Sequence, residues 1–264
     1  MRSCRFLVVL FATCFLTACL NSTTLVKLKP DGSGTVEQTT LVNMAALKGM
    51  GGAAQSAGPM SNKAELERTA ARMGKGVRLL SSEPFKGANG FEGTKAIFAF
   101  EDINQIEISQ DPNVSRGADA AGANPESPVK FNFSRNGGTS TLTINIQDRP
   151  SGASKTEPPA PPGDMPDLTN PMIMNMIKSM FQGFKINIDL EVVGSIVKTN
   201  AEYVTGPRIT LLEMDMAALL ADEAKLKALQ GKVSPGASFS DIKPYLKDIK
   251  GIKIDGPSIS VEFR

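Results

Sequence analysis

Phe184-Lys185-Ile186-Asn187-Ile188-Asp189-Leu190-Glu191-Val192 is the stretch that decides the fold: five apolar side chains alternate strictly with four polar or charged ones. A period of two puts all the apolar positions on one face of an extended strand, whereas a helix would scatter them around its surface. One face of this strand is therefore buried. The same rhythm recurs on both sides of it. Val129, Phe131 and Phe133 alternate with polar residues up to Asn136-Gly137-Gly138, after which Leu142, Ile144 and Ile146 alternate again. That is a β-hairpin, because the Asn-Gly-Gly run supplies the positive φ that a tight turn demands. Ile259, Val261 and Phe263 form a further alternating strand close to Arg264.

Near the other end, Leu25 to Leu28 and Val36 to Val42 flank Pro30-Asp31-Gly32-Ser33-Gly34, which has the chemistry of a turn. Gly32 and Gly34 are not the start of a phosphate loop, since no Lys-Ser or Lys-Thr follows at the spacing such a loop needs. Helices are fewer. Asn62 is placed to cap a helix with Glu65 in the capping-box position, Leu66, Ala70 and Met73 as its apolar stripe, and Gly74 as its stop. A second helical stretch starts after Asp215 and carries Leu219, Leu220, Leu226 and Leu229, and short helical turns fit Asp241 to Ile249. Antiparallel hairpins with a few packed helices, Pro- and Gly-rich loops, and no strict βαβ alternation predict an α+β fold.

The chain begins with Arg2 and Arg5, an apolar run from Phe6 to Leu16, and the small residues Thr17 and Ala18 before Cys19. The apolar run is shorter than the roughly 20 residues a spanning helix needs, so residues 1–18 read as a cleaved export signal. Leu16-Thr17-Ala18-Cys19 resembles the bacterial lipobox, in which short side chains precede the cut and the cysteine thiol is joined to diacylglycerol. The three cysteines are Cys4, Cys14 and Cys19, so the first two leave with the signal and the third is consumed by acylation. No disulfide then supports the fold. Residues 19–264 are expected to form one mature domain with flexible segments near 49–59, 109–128 and 150–166, the last rich in proline. Leu20 after the acylated cysteine matches the pattern sent to the outer membrane, facing the periplasm, in bacteria with two membranes.

Charge narrows the function classes. The sequence has 29 Lys and Arg against 27 Asp and Glu, and loss of Arg2 and Arg5 makes the mature chain formally neutral. A general nucleic-acid binder needs a basic excess to displace counterions, so nucleic acid is not an expected partner. There is no histidine anywhere in the chain. Ser-His-Asp and Cys-His sites are thereby excluded, together with zinc sites built on histidine or thiolate. Glu213 with Asp215, and Asp164 with Asp167, are the carboxylate pairs available for acid-base chemistry. The first pair reads as a strand end and a helix cap, and the second as linker. No catalytic residue, metal site or cofactor is expected.

The unusual segment is Pro171 to Gln182. Asn170 suits an N-cap, Pro171 the first helical position and Gly183 the exit. At about 100° per residue, Met172, Ile173, Met174, Met176, Ile177, Met180 and Phe181 cover roughly 200° of the helix surface, about twice what a helix lying on a sheet requires. Either the helix is sandwiched between layers, or it is a flap hinged on the proline-rich linker whose Met172, Ile173, Met176, Ile177, Met180 and Phe181 touch lipid or an apolar ligand. Methionine adapts readily to ill-defined apolar partners. Thioether ligation of Cu(I) by Met172, Met174 and Met176 is disfavoured, because alternate helix positions point apart.

Leu190-Glu191-Val192-Val193-Gly194-Ser195-Ile196-Val197-Lys198-Thr199-Asn200-Ala201, followed by Gly206-Pro207-Arg208-Ile209-Thr210-Leu211-Leu212, resembles the LppM-type lipoprotein domain, departing from it at Leu212, where that family often has tryptophan. The resemblance implies a lipid-associated module of the cell envelope. Independently of it, Gly194 permits a sharp bend between strands, and Asn200 to Gly206 a turn. The expectation is a non-enzymatic envelope lipoprotein that binds lipid or an apolar ligand; the alternative is an assembly lipoprotein that pairs with another envelope protein.

Overall fold

The computed structural model describes residues 20–44, 62–88, 90–109, 129–146, 171–181, 183–222, 224, 226, 239–247 and 249–264. Cys19, Asp164, Asp167, Asn170 and, apart from Ser109, the three expected flexible segments lie outside them, as do the side chains of Ile173, Met176 and Met180.

In chain order the elements are β1 (Leu20–Leu28), β2 (Gly34–Asn43), α1 (Lys63–Met73), β3 (Arg78–Lys86), β4 (Phe91–Phe100), β5 (Glu107–Ile108), β6 (Val129–Asn136), β7 (Thr139–Ile146), α2 (Pro171–Met180), β8 (Lys185–Val192), β9 (Ile196–Thr199), β10 (Val204–Thr205), β11 (Arg208–Asp215), α3 (Met216–Ala221), α4 (Phe239–Leu246), β12 (Ile252–Ile254) and β13 (Ser258–Phe263). They form an eight-stranded sheet in the order β10-β11-β8-β1-β2-β4-β3, with β12 also on β11, and a five-stranded sheet in the order β5-β6-β7-β13-β9. Strands dominate and the helices are short, which is an α+β arrangement weighted towards β.

The two sheets share one core. The larger contributes Val26, Leu28, Phe98, Ile188, Leu190 and Ile209, and the smaller Phe131, Leu142, Ile144, Ile259, Val261 and Phe263. Ile188, Leu190, Phe131, Leu142, Ile144, Ile259, Val261 and Phe263 are alternating positions of the sequence. Burying each such side chain contributes about 1.5–3 kcal/mol relative to leaving it in water. α1 adds Leu66, Ala70 and Met73 to the same core. Its N-cap Asn62 accepts a hydrogen bond from the Ala64 N–H at 2.7 Å, which satisfies one of the first-turn donors.

Two turns hold the layers in register. In the β1–β2 turn the Asp31 carboxylate accepts from the Ser33 N–H at 2.9 Å and the Ser33 hydroxyl at 2.8 Å. The Ser140 hydroxyl of β7 donates to the Pro30 carbonyl at 2.8 Å, tying that turn to the smaller sheet. At Gly194, with φ 132°, the chain leaves β8 in the larger sheet and enters β9 in the smaller one. A Cβ there would collide with the Arg264 carbonyl oxygen. Ser195 and Arg264 exchange two backbone hydrogen bonds, 2.9 and 3.2 Å long, which fasten the crossing to the end of β13.

One expectation is corrected. The sheet is not purely antiparallel, because β1 and β8 pair in parallel, from Asn21 opposite Lys185 to Leu28 opposite Val192. Hairpin signals reveal only neighbours in sequence. A parallel pair needs a long crossover, and the chain between β1 and β8 provides it. The helical stretch after Asp215 is interrupted: α3 ends at Ala221, helix resumes beyond Asp222 and includes Leu226, and Leu229 lies outside the described residues.

Candidate functional site

The parallel pairing gathers the distinctive residues at one end of the larger sheet. β1 and β8 begin side by side there, Asn21 opposite Lys185. Leu20, paired with Val42, is fully buried at 0% exposure. Cys19, the residue before it in the chain, lies outside the described residues. β4 also starts at this end, with Phe91 opposite Asn43 of β2.

Just before β8 stand Phe181 and Phe184, whose rings meet edge to face with centroids 6.0 Å apart. Gly183 between them has φ 85°, a left-handed conformation that lets the exit of α2 turn into the strand. A Cβ at Gly183 would run into the Phe91 ring. The Phe181 N–H donates to the Ile177 carbonyl at 2.9 Å, so the last turn of α2 is continuous with this aromatic cluster. Along the helix Met174 is buried, Ile177 and Phe181 are half-buried, and Met172 is 81% exposed. α2 therefore packs on the protein and also presents an apolar side chain outward. The structure brings Ile177 and Phe181 to the end of the larger sheet where β1 begins.

Beside this cluster runs a groove of about 930 Å³ whose lining includes Lys185, Lys247, Lys250, Lys253, Tyr203 and Glu213. Register places it: Lys185 of β8 lies opposite Asp215 of β11, and Glu213 opposite Lys253 of β12. The Glu213 carboxylate sits 2.9 Å from Lys253 Nζ and 3.6 Å from Lys185 Nζ. The hydrogen bond from Lys253 holds its pKa below the ordinary glutamate range, with the charge of both lysines acting in the same direction. Asp215 caps α3 by accepting from the Ala218 N–H at 3.1 Å, and Glu202 pairs with Lys243 at 2.5 Å. Lys247 and Lys250 are exposed and form no ion pair with a carboxylate among the described residues.

On the face of the larger sheet opposite the shared core, Asp189 is only 4% exposed. Burial pushes its pKa up, against a hydrogen bond with the Thr210 side chain and the charge of Arg208. Arg208 belongs chiefly to Glu191, at 2.7 Å, and stands 3.8 Å from Asp189. Asp189 Oδ1 and Asn187 Oδ1 are buried without a hydrogen-bond partner among the described residues. Asp255, also buried, accepts from the N–H groups of Gly256 at 2.7 Å and Glu202 at 3.1 Å, a structural brace for the turn before β13.

Sequence reading missed the lysine groove. A signal was present, since Lys243, Lys247, Lys250 and Lys253 recur every three or four residues. Among the described residues no helix is long and apolar enough to cross a membrane.

No known family profile matches the chain, and no curated protein matches it. Among solved structures it is similar to the folded domain of LppM from Mycobacterium tuberculosis, determined by NMR. The identity is 12%, the overlap covers 94% of this chain and 91% of that one, and the TM-score is 0.38.

Proposed function

We propose that this protein is a lipid-anchored lipoprotein of the cell envelope, acylated at Cys19, whose folded part is a non-enzymatic module that holds lipid or an apolar ligand at the α2 end of the larger sheet. The observation that carries the proposal is the parallel pairing of β1 with β8. It brings the residue after Cys19 and the exit of α2 to the same end of one sheet. A membrane anchored through Cys19 would lie against that end, where Phe181 and Phe184 meet at the exit of α2 and Ile177 lies one helical turn before them. Two acyl chains hold firmly, since each buried methylene contributes about 0.8 kcal/mol. In a bacterium with two membranes the placement is the periplasmic face of the outer membrane. The test is mass spectrometry of the mature protein purified from membranes, with solvent extraction of whatever it carries. The proposal requires an acylated Cys19 and a co-purifying lipid or apolar mass that is lost on Met172→Ser with Phe181→Ser. An unmodified cysteine, or a folded chain that carries nothing, contradicts it.

A second reading has its own support in β3, an edge strand of the larger sheet carrying Leu80 at 53% and Phe85 at 39% exposure. An exposed edge with apolar side chains is a template for a strand from another envelope protein. Crosslinking from Leu80 to a partner strand, undisturbed by the α2 substitutions, would favour it.

A further inference from the structure

We infer that the groove between β11, β12 and the residues after α4 takes the phosphate of an anionic phospholipid in the membrane that carries the anchor. The inference rests on the acylation of Cys19 proposed above and adds the chemistry of the lipid contact. Position is the first argument. The groove opens at Asp215 and Lys185, and Lys185 lies opposite Asn21 at the start of β1. From β1 across β8 to β11 is two inter-strand spacings of about 4.8 Å each, so the groove begins roughly 10 Å from the anchored strand. A protein held by acyl chains at Cys19 has this groove at headgroup depth.

Charge is the second argument. Lys185 and Lys253 share the single carboxylate of Glu213. The Asp215 carboxylate keeps its charge while it accepts from the Ala218 N–H and so offsets the second lysine of that pair, and Glu202 is paired with Lys243. Among the described lining residues Lys247 and Lys250 therefore leave a positive surplus, although the mature chain is neutral overall. Compact ammonium groups on flexible stems suit a phosphate as point charges. The third argument is size, since about 930 Å³ is ample for a glycerophosphate headgroup. Tethering completes the case: an anchored protein meets headgroups at high effective concentration, so modest attraction suffices to orient it.

The experiment is native mass spectrometry of the mature acylated protein, released from a non-ionic detergent and titrated with phosphatidylglycerol, phosphatidylcholine or inorganic phosphate. Phosphatidylglycerol adducts should appear at concentrations at least tenfold lower than phosphatidylcholine adducts. The double variant Lys247→Gln, Lys250→Gln should lose about thirty-fold in phosphatidylglycerol affinity, which is about 2 kcal/mol at about 1 kcal/mol per lysine. Its melting temperature and phosphatidylcholine adducts should not change. Equal binding of the two lipids, or full phosphatidylglycerol affinity in the double variant, would overturn the inference. So would inorganic phosphate that binds as tightly and displaces the lipid, because the ligand would then be the free anion. The mass of Cys19 is read in the same spectra, so absence of acylation is distinguished from failure of the groove.

Discussion

Replacing Gly183 by alanine tests how α2 is set against the sheet. Gly183 has φ 85°, and a left-handed conformation costs an L-residue about 1–2 kcal/mol. The added Cβ would also strike the Phe91 ring, and forcing an extra methyl into packed surroundings costs about 1–3 kcal/mol. Gly183→Ala should therefore destabilise by about 2–5 kcal/mol, which for a domain of this size lowers the melting temperature by roughly 2–4 °C per kcal/mol. A double-mutant cycle with Phe91→Ala separates the two causes. Removing the ring should relieve the collision but leave the backbone strain, so the double variant should be more stable than the sum of the single effects by about 1 kcal/mol or more. Thermal unfolding followed by circular dichroism reads all four proteins. A Gly183→Ala melting curve coincident with the wild type, or strict additivity with Phe91→Ala, would refute this placement of α2.

Asp189→Asn should stabilise the protein at pH 7, because it removes a buried negative charge while keeping the shape of the side chain. The folded pKa of Asp189 is raised, so its unfavourable contribution grows as pH rises from the unfolded value through the folded one. The advantage of asparagine should shrink as pH falls through that window, as denaturant titrations at several pH values would record. Glu213 behaves oppositely: its folded pKa is lowered, so it contributes stability above its unfolded pKa and loses it as pH falls through the folded one. Glu213→Gln should cost under about 1 kcal/mol at pH 7 and nothing once both forms are protonated. Gly194→Ala should be the more damaging glycine substitution, at about 3 kcal/mol or more, because φ 132° suits glycine and the Cβ meets backbone rather than a movable ring. Reduced yield and an earlier urea midpoint would show it.

The strands that could be read from sequence are those with one buried face and an uninterrupted rhythm. Phe184 to Val192, Val129 to Ile146 and Ile259 to Phe263 all belong to this group, and their boundaries fall within a residue or two of β8, β6, β7 and β13. β4 was not read because Gly93, Thr94 and Lys95 interrupt its alternation, although Gly93 is required where its Cβ would meet the Thr40 carbonyl. β3 was missed for another reason: as an edge strand with Pro84, it is exposed along nearly its whole length and has no buried stripe to read. The parallel partnership of β1 and β8 left no local trace, since pairing between distant strands depends on the whole core. At the site, the helix and its glycine exit were legible from Pro171 and Gly183. Its position beside the start of β1 was not, because that follows from the same long-range pairing. The buried Asp189 reads in sequence as an outward polar position, and only the central place of β8 between β1 and β11 removes it from water.

The central claim is that the end of the larger sheet carrying Leu20 and α2 is the membrane-facing end. With Cys4 and Cys14 absent from the mature chain and Cys19 acylated, a cysteine introduced elsewhere would be the only reactive thiol. Spin labels at Met172→Cys on α2 and Gly137→Cys on the β6–β7 turn, in acylated protein reconstituted into bilayers, can be compared by their collision rates with oxygen and with a water-soluble nickel chelate. The proposed anchoring predicts that the label at position 172 is shielded from nickel and accessible to oxygen dissolved in lipid, while the label at 137 reports water. Equal, water-like accessibility at both positions would contradict the account.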